Sequence, residues 1–364
     1  MKIVIVIDSM KGCLSSADAN HAAVDGVRLV FPDADIVQIP VSDGGEGFID
    51  AFHAAIGGTI QEVTVRDPMM RCITARYLLR DQEAVIEIAQ ASGLTLLSEE
   101  ERNPMLATSY GTGQLIADAV RKGAKRIIVG LGGSATSDSG VGMLRALIDT
   151  FANRGKFDDI TELKDIQFTI ASDVKNPLCG AKGAAHIFAP QKGATPEMVE
   201  RLDARAKRFA ELSAKHFGYD CSNDEGAGAA GGLGYAFLQY MHATYKPGIK
   251  VLLEAAHFSE VVKDADLVIT GEGSADSQTL MGKLPVGVLQ QSGDVPVCII
   301  AGRIRDREAL LQSGFSNVKC INPEGFSLQE AMLPEVARKH ISDTIRDILS
   351  NMKKLVNDFY ANDS

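Results

Sequence analysis

The chain has 364 residues, of which 45% are hydrophobic and 23% are charged, and its formal net charge is −10. These proportions are those of a globular protein that is long enough for two domains. An acidic chain without blocks of Lys or Arg argues against a surface for nucleic acid or membrane lipid. We therefore expect neither as a partner, and an anionic small substrate would need basic residues placed locally.

The cysteines and the N-terminus predict the cellular compartment. Six cysteines are scattered without a CxxC pair or a Cys/His metal spacing, so we expect reduced thiols in a cytoplasmic protein. The N-terminal apolar run, residues 3–7, is too short for the apolar core of a signal peptide. No run approaches the ~18 apolar residues that a membrane span needs.

The first third of the chain begins with alternating strands and helices. Residues 2–7 are continuously apolar, which is typical of a strand buried on both faces. Ser15 predicts the start of a helix that ends at Pro32. A second strand over 36–41 and a helix over 48–56 complete a βαβα opening, which favours a parallel sheet.

From residue 59 to residue 89 the pattern changes to short alternating runs, which predicts an antiparallel meander. Further strands are expected at 127–129, 167–171, 266–270 and 295–301, with long helices over 197–217 and from Pro334 onward. The predicted fold is a Rossmann- or flavodoxin-like α/β domain with a parallel sheet, plus a second α/β domain with a mixed sheet. The first domain is expected to be discontinuous, 1–58 and 250–364, with 59–249 inserted as the second.

Residues 127–140 combine a buried strand, a loop rich in glycine and hydroxyl groups, and the start of a helix. Such a junction directs backbone N–H groups and a helix dipole at an anion, and glycine lets the main chain approach a phosphate. Gly132, Gly133, Ser134 and Thr136 are therefore predicted phosphate ligands. The alternative is a tight βα turn with ordinary capping residues, and Asp138 is predicted to be a helix cap.

A carboxylate follows the carboxyl end of five predicted strands. These carboxylates are Asp8, Asp43, Asp138, Asp173 and the pair Glu272/Asp276, with Lys11, Lys175, Lys192 and Lys283 nearby. Ligands of open parallel sheets bind outside such strand ends. Carboxylates hold Mg²⁺ and lysines neutralise phosphate, so the pattern predicts phosphoryl transfer. Neither a Walker A motif nor the protein-kinase motifs occur, which indicates a kinase outside those classes.

Two other classes of function stay open from the residues alone. The segment GAGAAGG at 226–232 fits the dinucleotide fingerprint and would suit an oxidoreductase. No predicted strand precedes it, so a helix start built from small residues is favoured. The third hypothesis is a two-lobed protein that binds an anion without catalysis, and the many carboxylates argue against it.

Nine motifs follow one another from the first strand to about residue 335. They are DSMKG at 8–12, DGGEG at 43–47, RNP at 102–104, YGTG at 110–113, GGSAT at 132–136, SDVKNPL at 172–178, PQKG at 190–193, GAGAAGG at 226–232 and TGEG at 270–273. In this order they resemble the motifs of the bacterial type I glycerate kinase family. The resemblance implies two α/β domains with the site in the cleft between them. It also implies ATP-dependent phosphorylation of D-glycerate, typically to 2-phosphoglycerate, with 3-phosphoglycerate as the alternative product.

For such a kinase, catalysis needs positioning and neutralisation of charge more than covalent chemistry. We predict Asp173 or Asp43 as the base, and Lys11 and Lys283 as the groups that stabilise the transferred phosphoryl. Glu272 and Asp276 are predicted to hold Mg²⁺. The predicted substrate-binding residues are Asp8, Ser9, Arg102, Asn103 and Thr112, among which the Arg102 guanidinium matches a carboxylate.

The chain departs from the family pattern in a few places. Met10 stands where the family usually has Phe, and residues 137–140 differ from the usual central loop. After Glu272, Ser274 and Ala275 replace the usual Arg and Leu. The missing arginine matters most. If the arginine contacts phosphate or carboxylate in relatives, this protein must use another cation or another substrate.

Overall fold

The computed structural model describes residues 1–42, 44–277 and 279–362, apart from the side chains of residue 281 and of 355–362. Its strands are β1 (Lys2–Ile7), β2 (Asp35–Gln38), β3 (Thr59–Arg66), β4 (Cys72–Arg80), β5 (Glu83–Glu87), β6 (Arg126–Gly130), β7 (Gln167–Ala171), β8 (Thr244–Lys246), β9 (Leu267–Ala275), β10 (Val297–Ile304) and β11 (Asn317–Cys320). In the described residues, no helix has the length and apolar character needed to cross a membrane.

The α-helices alternate with these strands through most of the chain. They are α1 (Ser16–Val30), α2 (Phe48–Ile56), α3 (Ala89–Ser92), α4 (Tyr110–Arg121), α5 (Val141–Phe151), α6 (Ala184–Phe188), α7 (Pro196–Phe217), α8 (Ala229–Met241), α9 (Gly248–Ala255), α10 (Phe258–Val261), α11 (Leu284–Gln291), α12 (Arg307–Gln312), α13 (Leu328–Ala331) and α14 (Pro334–Asn362). The mixture confirms the predicted α/β class.

The chain forms two compact units. Unit 1 consists of Met1–Ser42 and Leu252–Ser364, and unit 2 is Asp43–Val251. The sequence placed the first division at residue 58, whereas α2 lies with unit 2. The backbone N–H of Ile49, in the first turn of α2, donates to the Glu87 carboxylate at the end of β5, so α2 is anchored to the sheet of unit 2.

The sheet of unit 1 has the order β11-β10-β9-β1-β2, and each neighbouring pair is parallel. β1 has the ends that its apolar run predicts, and its neighbours cover it on both sides. Ile5, for example, pairs with Gln38 on one side and Ile269 on the other. The second strand is shorter than predicted, ending at Gln38 instead of residue 41.

Helices α1 and α14 pack against each other over this sheet. α1 starts as predicted, because the Ser15 hydroxyl caps it by accepting from the backbone N–H of Asp18 at 3.1 Å. A Cβ on Gly26 would lie 2.4 Å from the carbonyl oxygen of Ser342. The two helix backbones therefore approach each other closely at this glycine.

The sheet of unit 2 has the order β3-β4-β5-β6-β7-β8. The predicted meander supplies its antiparallel part, β3 to β5, and the strands from β5 to β8 are parallel. The core is built from side chains of both parts, including Tyr77, Ile86 and Val129, together with helix residues such as Phe237 of α8. The parallel–antiparallel combination is the mixed sheet that the sequence indicates.

Candidate active site

In unit 1, two predicted site segments leave adjacent strands at the same edge of the sheet. Ile7 pairs with Gly271, and the backbone N–H of Asp8 donates to the carbonyl of Gly271 at 2.9 Å. Asp8 therefore begins the loop beside Glu272, and its carboxylate accepts from the backbone N–H of Ser9 at 2.7 Å. This is the carboxyl edge of a parallel sheet, where ligands of such folds bind.

Glu272 is the most enclosed carboxylate of this edge, with 7% of its surface exposed. Its Oε1 accepts from the Thr279 hydroxyl at 2.6 Å, and its Oε2 lies 3.7 Å from the Lys283 ammonium. Burial raises the pKa of Glu272, while the Thr279 hydrogen bond and the Lys283 charge act in the opposite direction and nearby Asp276 adds to the rise. Thr279 also accepts from the Asp276 backbone N–H at 3.0 Å.

In unit 2, the glycine loop after β6 is held by the segment that precedes α2. The backbone N–H of Gly132 donates to the Gly44 carbonyl at 2.8 Å. A Cβ on Gly132 would lie 2.2 Å from the Cα of Gly45, and one on Gly44 would lie 2.5 Å from the carbonyl oxygen of Ala171. The Gly44–Gly45 segment thus crosses the carboxyl ends of β6 and β7 at a distance that side chains would not allow.

The glycine loop also pairs with the turn after α3. Gly133 accepts from the backbone N–H of Leu94 and Ala135 donates to the carbonyl of Ser92, both at 2.8 Å. Gly133 is exposed and Gly132 is partly exposed, whereas Ser134 and Thr136 are buried. The part of the loop that faces solvent is therefore its glycine half.

A buried lysine supports the second half of the same loop. The Lys192 ammonium, 3% exposed, donates to Ser134 Oγ and to the Thr136 carbonyl oxygen, both at 2.7 Å. From the other side, a Cβ on Gly231 would lie 1.9 Å from that same Thr136 oxygen. Gly231 has a φ of +67°. The GAGAAGG segment leads into α8, but residues 230–232 have left-handed backbone angles, so it forms a kink before the regular turns of the helix and packs against the loop there.

Asp138 caps the helix that follows the loop, which confirms the predicted role. Its carboxylate accepts from the backbone N–H groups of Ser109, Gly140 and Gly142 and from the Ser109 hydroxyl, at 2.8 to 3.1 Å. Asp138 thus fixes the start of α5 against the start of α4, because Ser109 immediately precedes α4.

Asp173 stands two residues beyond β7, the strand next to the glycine loop. It is exposed, and its Oδ1 accepts from the Gly248 backbone N–H at 3.2 Å. The preceding Ser172 donates its backbone N–H to the Lys246 carbonyl at 3.1 Å. Asp43, the other predicted base, lies outside the described residues.

The predicted substrate residues of unit 2 are in different environments. Thr112 is fully buried in α4, and its hydroxyl shares a 2.7 Å hydrogen bond with Ser92. Asn103 Oδ1 accepts from the Met105 backbone N–H at 3.0 Å. Arg102 is partly exposed, and its Nε is buried without a hydrogen-bond partner among the described residues. Arg102 Nη1 lies 3.8 Å from the Glu99 carboxylate, so Nε is the donor of this side chain that stays unpartnered among the described residues.

The predicted site residues divide between the units. Asp8, Ser9, Lys11, Glu272, Asp276 and Lys283 belong to unit 1, and Arg102, Asn103, Thr112, Gly132, Gly133, Ser134, Thr136 and Asp173 belong to unit 2. Within the described ranges, no cluster of three or more His, Cys, Asp or Glu side chains could hold a metal ion.

Sequence reasoning missed two polar residues that support these loops, Glu87 and Thr279, and it placed Lys192 near the strand-end carboxylates without predicting its contact with the glycine loop. Glu87 is 1% exposed, and burial raises its pKa while the α2 backbone donates to it. Its position in an apolar strand was a signal that its side chain is buried, since parallel strands are covered on both faces. Lys192 follows an apolar helix, but its partner Ser134 is 58 residues away. The sequence gives no sign of that contact.

Comparison with known proteins identifies the class of this chain. The family model described as "Glycerate kinase family" matches residues 3–353. The chain therefore belongs to the glycerate kinase family, and it is a kinase. This confirms the resemblance drawn from the nine motifs, and it removes the oxidoreductase and the non-catalytic binding protein as alternatives.

Individual relatives cover almost the whole chain. The glycerate kinase of Bacillus subtilis (strain 168) is 43% identical over 376 residues, covering 97% of this chain and 98% of that protein. The glycerate 2-kinase of Escherichia coli (strain K12) is 41% identical over 328 residues, covering 84% and 86%. A crystal structure from Salmonella typhimurium LT2, described as a candidate glycerate kinase 2, has a TM-score of 0.82 and 37% identity and covers 98% and 99%.

Proposed function

We propose that this protein transfers the γ-phosphoryl group of ATP to the 2-hydroxyl of D-glycerate, with Mg²⁺, giving 2-phosphoglycerate and ADP. The observation that carries the proposal is the match of the family model to residues 3–353. The position of transfer is supported by the Escherichia coli relative that is named a glycerate 2-kinase. A cytoplasmic location is proposed as well, and it is supported by six free cysteines.

The glycine loop of unit 2 is the proposed site for the nucleotide phosphates. Gly132 and Gly133 present backbone at its solvent side, where a phosphate can approach without meeting a Cβ. Ser134 adds a hydroxyl next to them. Thr136 accepts from Lys192 through its carbonyl and so fixes the shape of the loop, and its hydroxyl, which has no partner among the described residues, is proposed as a further phosphate ligand.

Glu272 and Asp276 are proposed to hold Mg²⁺. The donor set fits a magnesium ion that is shared with nucleotide phosphates, because such ions use one or two carboxylates from the protein. Thr279 orients Glu272 through Oε1, and Oε2 lies 3.7 Å from Lys283, beyond normal hydrogen-bond length. When bound, Mg²⁺ would neutralise charge on the phosphate oxygens.

The chemical step needs a base for the hydroxyl and cations for the moving charge. As the hydroxyl oxygen bonds to the γ-phosphorus and the bond to the β-phosphate oxygen breaks, the hydroxyl proton passes to a carboxylate, for which we propose Asp173 or Asp43. Asp173 is exposed at the end of β7, as a group that meets a substrate must be. Lys11 and Lys283 are proposed to neutralise the transferred phosphoryl group.

Arg102 is proposed to bind the glycerate carboxylate. Its guanidinium is partly exposed and its Nε has no partner among the described residues. A planar fork of donors matches a carboxylate bidentately. Asn103 orders the same loop, Thr112 supports the neighbouring helix start, and Asp8 and Ser9 are proposed to orient substrate from the loop after β1.

The test is incubation of the full chain with D-glycerate, ATP and Mg²⁺, followed by ³¹P NMR of the product. The proposal expects ADP and 2-phosphoglycerate in equal amounts. L-Glycerate serves as the matched substrate control. The Asp173→Asn variant tests whether the Asp173 carboxylate is the base. Absence of glycerate-dependent ADP would reject the function, and a product phosphorylated at position 3 would reject the assigned position.

A further inference from the structure

Lys192 is a buried cation in the short turn Pro190–Lys192, and the proposed function gives it no role yet. Its ammonium is 3% exposed and donates to Ser134 Oγ and the Thr136 carbonyl. Among the described residues, no carboxylate lies within ion-pair distance of its Nζ. A buried charge without a paired counter-charge is costly, so its presence at this position calls for a reason.

The direction of the hydrogen bond to Ser134 decides what the serine can do. An ammonium group has three donors and no acceptor, so Ser134 Oγ must accept from Lys192. The serine hydrogen is then turned away from the lysine and needs an acceptor elsewhere. In the described part of the chain, Ser134 Oγ has no other hydrogen-bond partner, and its neighbour Gly133 is exposed.

Other hydroxyls of the same loop are also left with unused donors. Thr136 Oγ1 and Ser137 Oγ are buried without hydrogen-bond partners among the described residues. Ser134, Thr136 and Ser137 therefore each keep a hydroxyl hydrogen that has no acceptor among the described residues. Such hydrogens suit an anion, which brings acceptors only.

We infer that Lys192 is a positioning residue of the glycine loop, which forces the Ser134 hydroxyl to donate to a phosphate oxygen of the bound nucleotide. This inference rests on the proposed function, since it assigns the nucleotide to this loop. Lys192 itself does not need to touch the nucleotide. It acts through Ser134 and through the Thr136 carbonyl, which fixes the far end of the loop.

The protonation state of Lys192 gives the inference a specific signature. Burial lowers the pKa of Lys192 to about 7, and the charge of Asp138 partly opposes this shift. The other elements beside the turn contribute an apolar cluster of Ala185, Ala189, Val199 and Leu202, and the Arg102 backbone lies against Gly193. Asp138 and the Arg102 guanidinium are thus the charged groups to consider.

The direction in which nucleotide affinity changes with pH follows from the chemistry of the amine. Below its pKa the ammonium can only donate, and the serine hydrogen is directed to the phosphate. Above its pKa the neutral amine has a lone pair that can accept that hydrogen. Nucleotide affinity should therefore be highest below the pKa of Lys192 and fall as the pH rises through it. A bound phosphate should in turn raise the pKa of Lys192.

The experiment measures the Kd of ADP by calorimetry from pH 6 to pH 9. We expect Lys192→Met and Ser134→Ala each to weaken binding by about tenfold or more at pH 6, as for loss of a hydrogen bond to a charged group. The double variant should bind no more weakly than Ser134→Ala alone, because both changes remove one contact. Lys182→Met, which removes an exposed lysine of the same region, should bind like wild type.

The pH profile separates positioning from a merely structural role. The fall in affinity above pH 7 should be present in wild type and absent from both variants, and comparison at each pH cancels the titration of ADP itself. If Lys192→Met does not fold, Ser134→Ala supplies the same comparison. Unchanged ADP affinity in Ser134→Ala, or strictly additive effects in the double variant, would overturn the inference.

Failure of the proposed function and failure of the inference about Lys192 give different results in these measurements. If wild type binds ADP with this pH profile but does not phosphorylate D-glycerate, the substrate assignment is rejected and the role of Lys192 is supported. If wild type phosphorylates D-glycerate and Lys192→Met binds ADP normally at every pH, the role of Lys192 falls and the function stands.

Discussion

Two opposing effects act on the pKa of the Glu272 side chain. Its burial favours the neutral acid, whereas the Thr279 hydroxyl and the Lys283 ammonium favour the carboxylate. The proposed role of Glu272 at a magnesium ion requires the carboxylate. Thr279, which is fully buried at 2.6 Å from Oε1, therefore lowers the pKa of Glu272 against the effect of burial and extends the carboxylate form to lower pH.

We predict that Thr279→Val shifts the acidic limb of kcat/KM to higher pH. Loss of the donated hydrogen bond removes a contact that favours the ionised form, so the already raised pKa of Glu272 rises further. A hydrogen bond to a charged group corresponds to a shift of roughly one pH unit. The measurement is kcat/KM for D-glycerate at saturating ATP across pH 5 to pH 8.

Thr64→Val is the matched control, because Thr64 is exposed on β3 in the other unit. It should leave the profile unchanged. Glu272→Gln should reduce activity by a hundredfold or more on the order expected for a preorganised charge. If Thr279→Val retains the wild-type limb, Glu272 is not the group that titrates there.

At the scale of elements, the contact between the Gly132 loop and the Gly44–Gly45 segment leaves no room for a side chain. We predict that Gly132→Ala weakens nucleotide binding at least tenfold, because its Cβ would lie 2.2 Å from the Cα of Gly45 and one strand-end loop would have to move. Overpacking of this kind costs about 1–3 kcal/mol. Calorimetric titration with ADP measures the effect.

Gly155→Ala is the control for the glycine substitution itself. Gly155 lies in unit 2 with a φ of +71° and open space around its Cβ position. It should lose some stability from the backbone conformation but keep the wild-type affinity for ADP. Equal affinities for Gly132→Ala and wild type would show that the loop tolerates the displacement and does not hold the nucleotide.

The elements differ in how far the sequence specifies them. β1, β7 and α2 have the predicted ends, because continuous apolar runs and flanking glycines mark them locally. β8 and β11 were not predicted. Each is a short edge strand of its sheet, formed by pairing with its neighbour and not by a pattern of its own.

The same distinction applies to the candidate site. The loops that carry it were found because Gly, Asp and Ser/Thr cluster after strands. Two of their supports, Thr279 and Glu87, were missed, and the supporting role of Lys192 was not predicted, because the role of a buried polar residue depends on its partner. For Lys192 that partner lies 58 residues away, and for Glu87 it is a helix that starts 39 residues earlier. Such contacts are products of the tertiary fold.

At the scale of the whole molecule, unit 2 is one continuous segment inserted into unit 1. We predict that residues 43–251 fold on their own, because this segment contains its complete sheet and its own core. The isolated segment should give the circular dichroism of an α/β protein and a cooperative thermal transition. A spectrum of an unfolded chain would contradict this division.

Unit 1 supplies the comparison. Residues 1–42 contain β1 and β2 but lack β9, so this fragment alone should remain unfolded. Joining 1–42 to 252–364 with a short flexible linker should restore a folded protein. If neither unit melts cooperatively without the other, the two depend on each other for stability.

The central position of β1, between β2 and β9, has a consequence for synthesis. β1 leaves the ribosome well before β9 and must wait for residues 267–275 before its second edge is covered. During that delay the inserted unit is completed, while an apolar edge of the N-terminal segment stays open to wrong pairing or to chaperones. Translation speed between residues 43 and 266 should therefore influence how much of the nascent enzyme reaches its native state.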